Sequence, residues 1–169
     1  MEVRDVDLAY AAGLFDGEGS ISICCRKQSK RSISRTYGIK TVISMVDADS
    51  VLWMAATFGG PCDTTSRSQK YLLEHPGVRI IYRWSLNCRK AADFLELILP
   101  YLKLKHSRAE AAIKLARMAR HRGAQKGHEG MHVMSEEELA AQKPIADFIR
   151  AENQRNNPRI KSCVKWGIQ

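Results

Sequence analysis

The chain has 169 residues, of which 44% are apolar and 27% charged, with a formal net charge of +9 at pH 7. This length fits one domain or a tight pair of half-domains with a sizeable core, and no apolar run approaches the roughly 18 residues of a membrane span. The positive charge favours a polyanionic partner, for which nucleic acid is the default candidate, over a merely basic soluble protein.

The cysteines and the amino terminus bear on the compartment. The five cysteines are an odd number and include no C-x-x-C spacing, which argues against a disulfide scaffold and against a cysteine zinc site. The opening MEVRDVD is too acidic for a secretory or transit peptide. We therefore expect an intracellular protein of a reducing compartment, such as the cytoplasm or an organelle matrix, without a signal peptide and without a membrane partner.

The first third of the chain predicts a helix, a strand hairpin and a second helix. Small and apolar residues from Leu8 to Phe15 predict the first helix. Apolar and polar residues alternate from Ser20 to Gln28 and again from Tyr37 to Val46, as in two half-buried strands joined by a basic connection. Asp47 predicts the N-cap of a short helix that ends at a glycine pair.

The middle of the chain predicts a second strand pair and two more helices. One strand is expected from Cys62 to Ser68 and another from Val78 to Leu86, where basic and apolar residues alternate. Residues 89–98 predict a helix that Pro100 ends, and Ser107 to Arg120 predicts the next helix.

The carboxyl-terminal part predicts a loop, a helix and a basic tail. We expect residues 1–120 to form the core domain and residues 121–134 a loop. Residues 135–169 are expected to add a helix from Ser135 to Asn153 and a basic tail to the same domain, with Pro144 as a break or a new first turn.

The predicted order αββαββα indicates an α+β fold with a four-stranded antiparallel sheet. Because one face of each strand is apolar, the helices are expected to cover that face of the sheet. The opposite face would be broad, polar and basic, which suits a saddle that lies across a duplex groove. The composition and the fold class therefore converge on a nucleic-acid partner.

Two acids stand where ordinary helix stability disfavours them. Asp16 and Glu18 directly follow the predicted first helix. A carboxylate at a helix C-terminus faces the negative end of the helix dipole, which destabilises the helix by about 0.3–1 kcal/mol for each acid. Their position therefore indicates a compensating cation or a function.

Two stretches carry a resemblance to a known family. AAGLFDGEG at residues 11–19 resembles the signature of the LAGLIDADG homing endonucleases, and it matches at Ala12, Gly13, Leu14, Asp16 and Gly19. FLELILPYLKLKHSRAEAAIKL at residues 94–115 is similar to the region where single-motif members carry a helix, a proline, LKLK and another helix. The single copy of the signature implies the homodimeric type, and the family implies a mobile element, intron-encoded or of intein or free-standing origin.

The resemblance also implies a chemistry and a site. Glu18, with the backbone of Gly17, would hold Mg²⁺, while Asp16 would help to hold the end of the helix. Lys105, the second lysine of LKLK, would polarise the nucleophile or stabilise charge at the phosphate, so the implied catalytic residues are Glu18, Lys105 and Asp16. Mn²⁺ is expected to substitute for Mg²⁺, and Ca²⁺ to bind without efficient turnover.

The implied partner is a long, roughly palindromic double-stranded DNA site. The outward strand positions and the neighbouring loops give the expected DNA contacts, which are Ser22, Cys24, Arg26, Gln28, Lys30, Lys40, Ser44, Thr64, Ser66, Arg67, Arg79, Ile81, Arg83 and Lys103. Two first helices would pack across a twofold axis through small residues, and the expected interface residues are Ala9, Ala12, Gly13 and Asp16.

Two other functions stay open at this point. A maturase-like protein on the same fold would bind structured intron RNA and assist splicing, and a DNA-binding regulator would use the fold without cleavage. Glu18 together with Lys105 argues against the regulator. In the family a polar residue near the end of the second strand assists with water, and the predicted register leaves Met45, Val46 and Asp47 for that position.

Overall fold

A computed structural model describes residues 3–26, 36–64, 75, 77–118 and 135–155. The first half contains α1 (Asp5–Glu18), β1 (Gly19–Arg26), β2 (Thr36–Met45), α2 (Ala48–Phe58), β3 (Cys62–Thr64) and β4 (Tyr82–Asn87). The second half contains α3 (Cys88–Ile98), a 3₁₀ turn (Leu99–Tyr101), α4 (His106–Met118) and α5 (Glu136–Arg155).

The strands form one antiparallel sheet in the order β1-β2-β4-β3. Side chains alternate between its two faces, and one face carries the buried residues Ile21, Ile43, Trp84 and Leu86 that pack against the helices. The predicted α+β class and four-stranded antiparallel sheet are therefore confirmed.

An aromatic cluster joins α1 to the sheet and to α3. The ring of Phe94 lies 5.5 Å from Phe15, 5.0 Å from Phe58 and 4.9 Å from Trp84, in edge-to-face contacts between centroids. The indole nitrogen of Trp84 donates to the carbonyl of Gly59 at 2.7 Å, so the buried N–H has an acceptor. This packing fixes the direction in which α1 ends.

Several element boundaries differ from the sequence prediction. Helix α1 extends to Glu18, so both acids lie in its last turn rather than after it. Strand β4 begins only at Tyr82, and of the predicted third strand the structure describes Cys62 to Thr64. Asp47 is confirmed as the N-cap of α2, since its carboxylate accepts from the Ser50 N–H at 3.0 Å.

The expectation of a break at Pro144 is wrong, because α5 continues through this residue. A proline removes one helical N–H donor, and the buried face of α5 offsets that loss with Ala146 and Ile149, which are fully buried. None of the helices in the described ranges has the length and apolar character needed to cross a bilayer.

Candidate active site

The site begins where α1 passes into β1 without a loop. Gly19 caps the helix, and its N–H donates to the carbonyl of Phe15. A side chain at Gly19 would force Phe15 to shift, because a Cβ there would overlap the ring and the carbonyl oxygen of Phe15. The glycine is therefore required for close packing, and it brings the exposed Glu18 directly beside the first residues of the sheet.

Asp16 holds a second segment of the chain against the end of α1. Its carboxylate accepts the backbone N–H groups of Lys103 at 2.7 Å, Leu104 at 3.0 Å and Lys105 at 3.0 Å. Partial burial opposes ionisation, but these three bonds and the charge of Lys105 outweigh it and hold the pKa of Asp16 below its ordinary value. The acid therefore forms a clamp between α1 and the LKLK segment, which fits the role of holding the helix end.

Lys105 is buried at this clamp with only 8% of its surface exposed. Its ammonium group donates to the backbone carbonyl of Asp16. Burial, followed by the nearby guanidinium of Arg108, lowers the pKa of Lys105, while the charges of Asp16 and Glu18 oppose that shift. The structure thus brings Lys105 and Glu18 together at one end of α1, although they are 87 positions apart in the sequence.

The donor set at the helix end suits a hard cation only in part. Glu18 and the Gly17 carbonyl are oxygen ligands of the kind that Mg²⁺ accepts, and Mg²⁺ keeps several waters. Asp16 is already occupied by three N–H donors, and no group of three or more His, Cys, Asp or Glu side chains suited to a metal occurs within the described residues. Substrate phosphates, waters and a second copy of the chain would have to complete the coordination.

The position near the end of β2 carries no free polar group of the expected kind. Met45 packs against the core, and Val46 is 48% exposed. Asp47 is the N-cap of α2, so its carboxylate is engaged by Ser50. Ser44, which precedes these residues on the outer face, is the nearest polar side chain on β2.

The outer face of the sheet is arranged in rows across the strands. Ser44, Arg83 and Asp63 form one row, and Ser22, Lys40 and Asn87 form another. Ser20, Val42 and Ser85 lie between these rows, and Cys24 lies beside Gly38. The described part of this face is polar, as expected, and it carries one acid, Asp63, beside the bases Lys40 and Arg83.

The expected DNA contacts divide into three groups. The structure brings Ser22, Cys24, Lys40, Ser44 and Arg83 together on the outer face, as the alternation predicts. The predicted residues Gln28, Lys30, Ser66 and Arg67 lie outside the described residues, as does the side chain of Arg26. The remaining four predicted contacts do not lie on the outer face of the sheet; they are Thr64, Arg79, Ile81 and Lys103.

Physical reasons account for these four differences. Thr64 pairs with Tyr82 and shares the helix-facing side of the sheet with Cys62, so Asp63 occupies the outer position instead. Arg79 and Ile81 precede β4, because the strand begins one residue after Ile81. Lys103 is exposed beside the end of α1, where its N–H is bound to Asp16.

The proposed pairing face of α1 is open at some positions and closed at others. Ala9 is exposed, and a Cβ added at Gly13 or Gly17 would meet nothing within 4 Å. Ala12, which was expected at the interface, is fully buried in the core of its own chain. It precedes Gly13 in the helix and therefore lies on a different face from the open strip formed by Ala9, Gly13 and Gly17. Asp16 also turns inward, toward the segment it clamps.

Some residues of the site carried little signal in the sequence. Leu104 is 77% exposed beside the clamp, a position that no amphipathic pattern predicts. Asp63 was missed because the register of β3 was unknown. Arg108 and Asn153 were missed because they meet only through the packing of α5.

Comparison with known proteins identifies the fold. No protein-family model and no curated protein matches the sequence. Solved structures do match, at 14% identity, and they include the homing endonuclease I-CvuI in complex with its target in the presence of Ca, with a TM-score of 0.64 over 87% of this chain and 82% of that one. The archaeal intron-encoded homing endonuclease I-Vdi141I complexed with DNA gives a TM-score of 0.63 over 88% and 84%.

A third match has a longer chain. The LAGLIDADG homing endonuclease I-SmaMI bound to cleaved DNA gives a TM-score of 0.60 at 14% identity over 86% of this chain, but over only 45% of its own. The chain thus has the fold of the LAGLIDADG homing endonucleases, and the resemblance of its signature stretch is confirmed at that level.

Proposed function

We propose that this protein is a site-specific endonuclease that hydrolyses phosphodiester bonds in double-stranded DNA with a divalent metal. The observation that carries the proposal is the clamp at the end of α1. Asp16 binds three successive N–H groups and thereby holds the buried Lys105 beside the exposed Glu18. A polar sheet face starts from the same point, so the chemistry and the surface that would receive a duplex are adjacent.

Each residue of the site would have a separate task. Glu18, with the carbonyl of Gly17, would hold the metal, which when bound would activate a water and stabilise the leaving 3′ oxygen. Lys105 would place its positive charge toward the scissile phosphate, and its burial strengthens that charge because less water screens it. Asp16 would keep Lys105 in position through the backbone bonds. The outer-face residues would orient the duplex.

The proposed active species is a homodimer formed through α1. The open strip at Ala9, Gly13 and Gly17 would let a second helix approach closely, and Val6 at 70% exposure and Leu104 at 77% would add apolar contact. The chain corresponds to just under half of the I-SmaMI chain, which supports an assembly of two copies. The dimer would bring two Glu18 side chains to one place and would recognise a roughly palindromic site.

The decisive experiment separates binding from cleavage. A duplex would be selected by the wild-type protein from a randomised library, and single-turnover cleavage and filter binding would be measured on it with Mg²⁺, Mn²⁺ and Ca²⁺. We expect Glu18→Gln to lower cleavage by several orders of magnitude while binding persists, and Lys105→Met to lower it more moderately. The matched control Glu137→Gln, on the exposed start of α5, should keep wild-type cleavage.

Two results would contradict the proposal. Wild-type cleavage by Glu18→Gln would show that the carboxylate at the helix end is not the metal ligand. Selective binding of structured intron RNA without any cleavage of duplex libraries would favour the maturase-like alternative instead.

A further inference from the structure

Among the described arginines whose guanidinium groups bind another side chain, Arg108 differs because its partner is not an acid. Acidic side chains receive the guanidinium groups in the other cases, which are Arg4–Asp7, Arg117–Asp93, Arg117–Glu96, Arg150–Asp147 and Arg155–Glu152. Arg108 instead donates to the neutral amide oxygen of Asn153 at 3.0 Å. Its position is therefore fixed while its charge is left without a neutralising acid among the described side chains.

The neighbour of this charge is another cation. Arg108 follows Lys105 by one turn at the start of α4, and its charge is felt at Lys105 as repulsion. Asp16, an acid whose charge acts on Lys105, is already occupied by backbone donors. Two like charges held together at the candidate site destabilise the free protein, and an anion that binds between them would relieve that repulsion.

Asn153 links the guanidinium of Arg108 to strand β1. While its oxygen accepts from Arg108, its amide nitrogen donates to the carbonyl of Ile21 at 2.7 Å. Ile21 lies in β1 two residues after Gly19, so the bridge ties α5 to the strand that leaves the site. Because both ends of the amide are engaged, the side chain cannot flip without losing a hydrogen bond.

We propose that Arg108 is a second phosphate-binding cation of this site, beside Lys105, and that Asn153 is the residue that positions it. This inference rests on the proposed function and deepens it, since it assigns to α5 a part in binding the substrate backbone. The guanidinium has five N–H donors and is only partly buried, so donors remain for the oxygens of a DNA phosphate.

The test is the salt dependence of DNA binding, measured in Ca²⁺ so that cleavage does not interfere. The probe is the labelled duplex that the wild-type protein selects from a randomised library. Loss of one phosphate contact lowers the slope of log K against log salt by about 0.9 for each protomer. We therefore expect this reduction for Arg108→Gln, with affinity about tenfold weaker near 0.15 M salt, and a retained slope for Arg108→Lys.

Two further variants separate this role from a structural one. Lys114→Gln removes one positive charge from an exposed position of the same helix and should leave the slope unchanged. Asn153→Ala should lower the slope in part, but it should have no further effect on the slope once Arg108 is replaced by Gln, because it acts through that residue. Thermal unfolding of each variant reports any loss of stability independently of the slope.

The outcomes distinguish the two levels of the proposal. If the wild-type protein selects and cleaves a site while Arg108→Gln shows the slope of Lys114→Gln, the role of Arg108 is refuted and the endonuclease is not. Additive effects of Arg108→Gln and Asn153→Ala on the slope would refute positioning by Asn153. If the wild-type protein selects no duplex at all, both the inference and the proposed function are overturned.

Discussion

Replacing Asp16 by Asn tests whether the clamp at the end of α1 is a structural element of the site. The substitution keeps the size of the side chain and one acceptor oxygen, but it places an amide NH₂ against a backbone N–H. In the structure the Oδ2 atom serves Lys103 and Leu104, while Oδ1 serves Lys105. Asn can therefore serve two of these donors as a neutral acceptor and loses the third.

The expected effect follows from the bonds that change. One lost bond and two bonds weakened by the loss of charge amount to roughly 1.5–3 kcal/mol. Removing a negative charge from the C-terminal turn of a helix returns about 0.3–1 kcal/mol. We expect a net loss of about 0.5–2.7 kcal/mol in the free energy of unfolding at pH 7.

The pH dependence gives a second, independent measure. The pKa of Asp16 in the folded protein lies below its ordinary value of 3.8, so the folded state binds fewer protons there than the unfolded state. Its stabilising contribution is therefore fully present above the unfolded pKa and is lost as the pH falls through the folded pKa. Asp16→Asn should accordingly lose less stability than the wild-type protein when the pH is lowered from about 5 to about 2.

Urea denaturation followed by tryptophan fluorescence would measure both effects at fixed protein concentration. The control is Asp47→Asn, which makes the same chemical change at an N-cap that Asn serves as well as Asp, so we expect less than about 0.5 kcal/mol there. Equal stability of the two variants at pH 7, or a wild-type pH slope for Asp16→Asn, would refute the clamp.

Three further predictions concern packing and assembly. In the same denaturation assay, Gly19→Ala should lower the free energy of unfolding by about 2–3 kcal/mol, because the new Cβ meets Phe15. The control Gly77→Ala has open space around it and should change this free energy by less than about 0.5 kcal/mol. Thr41→Val should raise the unfolding midpoint by the equivalent of about 1 kcal/mol, since the buried hydroxyl has no partner in the described structure; a lower midpoint would contradict this. Gly13→Leu should yield a folded monomer in sedimentation, and a dimeric variant would exclude α1 as the pairing face.

Local patterns were sufficient to predict most of the fold. Alternation placed Ile21, Ile43 and Trp84 on one face of the sheet, and the structure buries all three. The N-cap at Asp47 was predictable because aspartate is a preferred N-cap residue and here directly precedes an apolar, helix-forming stretch. The start of β4 was not, because basic and apolar residues alternate on both sides of Tyr82 and only pairing with β2 decides where the strand begins.

The site was predictable only where the signature and the LKLK stretch reach it. Those stretches indicated Glu18 and Lys105, but nothing local shows that Asp16 binds a segment 87 residues away. The contact between Arg108 and Asn153 depends on how α5 packs, and its two residues are 45 positions apart. Long-range hydrogen bonds of this kind leave no periodic trace in a single sequence.

The direct passage from α1 into β1 has a consequence for the geometry of a DNA site. Outer side chains of β1 recur about every 6.6 Å, close to two steps of a duplex at 3.4 Å each. Under the proposed function, the first base that Ser20 could read lies within about two base pairs of the bond near Glu18, and the eight residues of β1 reach about 26 Å. Since no loop separates α1 from β1, the distance from Glu18 to the outer side chains of β1 is fixed by the chain itself. An extra residue at this junction would therefore move the cut relative to the bases that are read, and would not lengthen the recognised sequence.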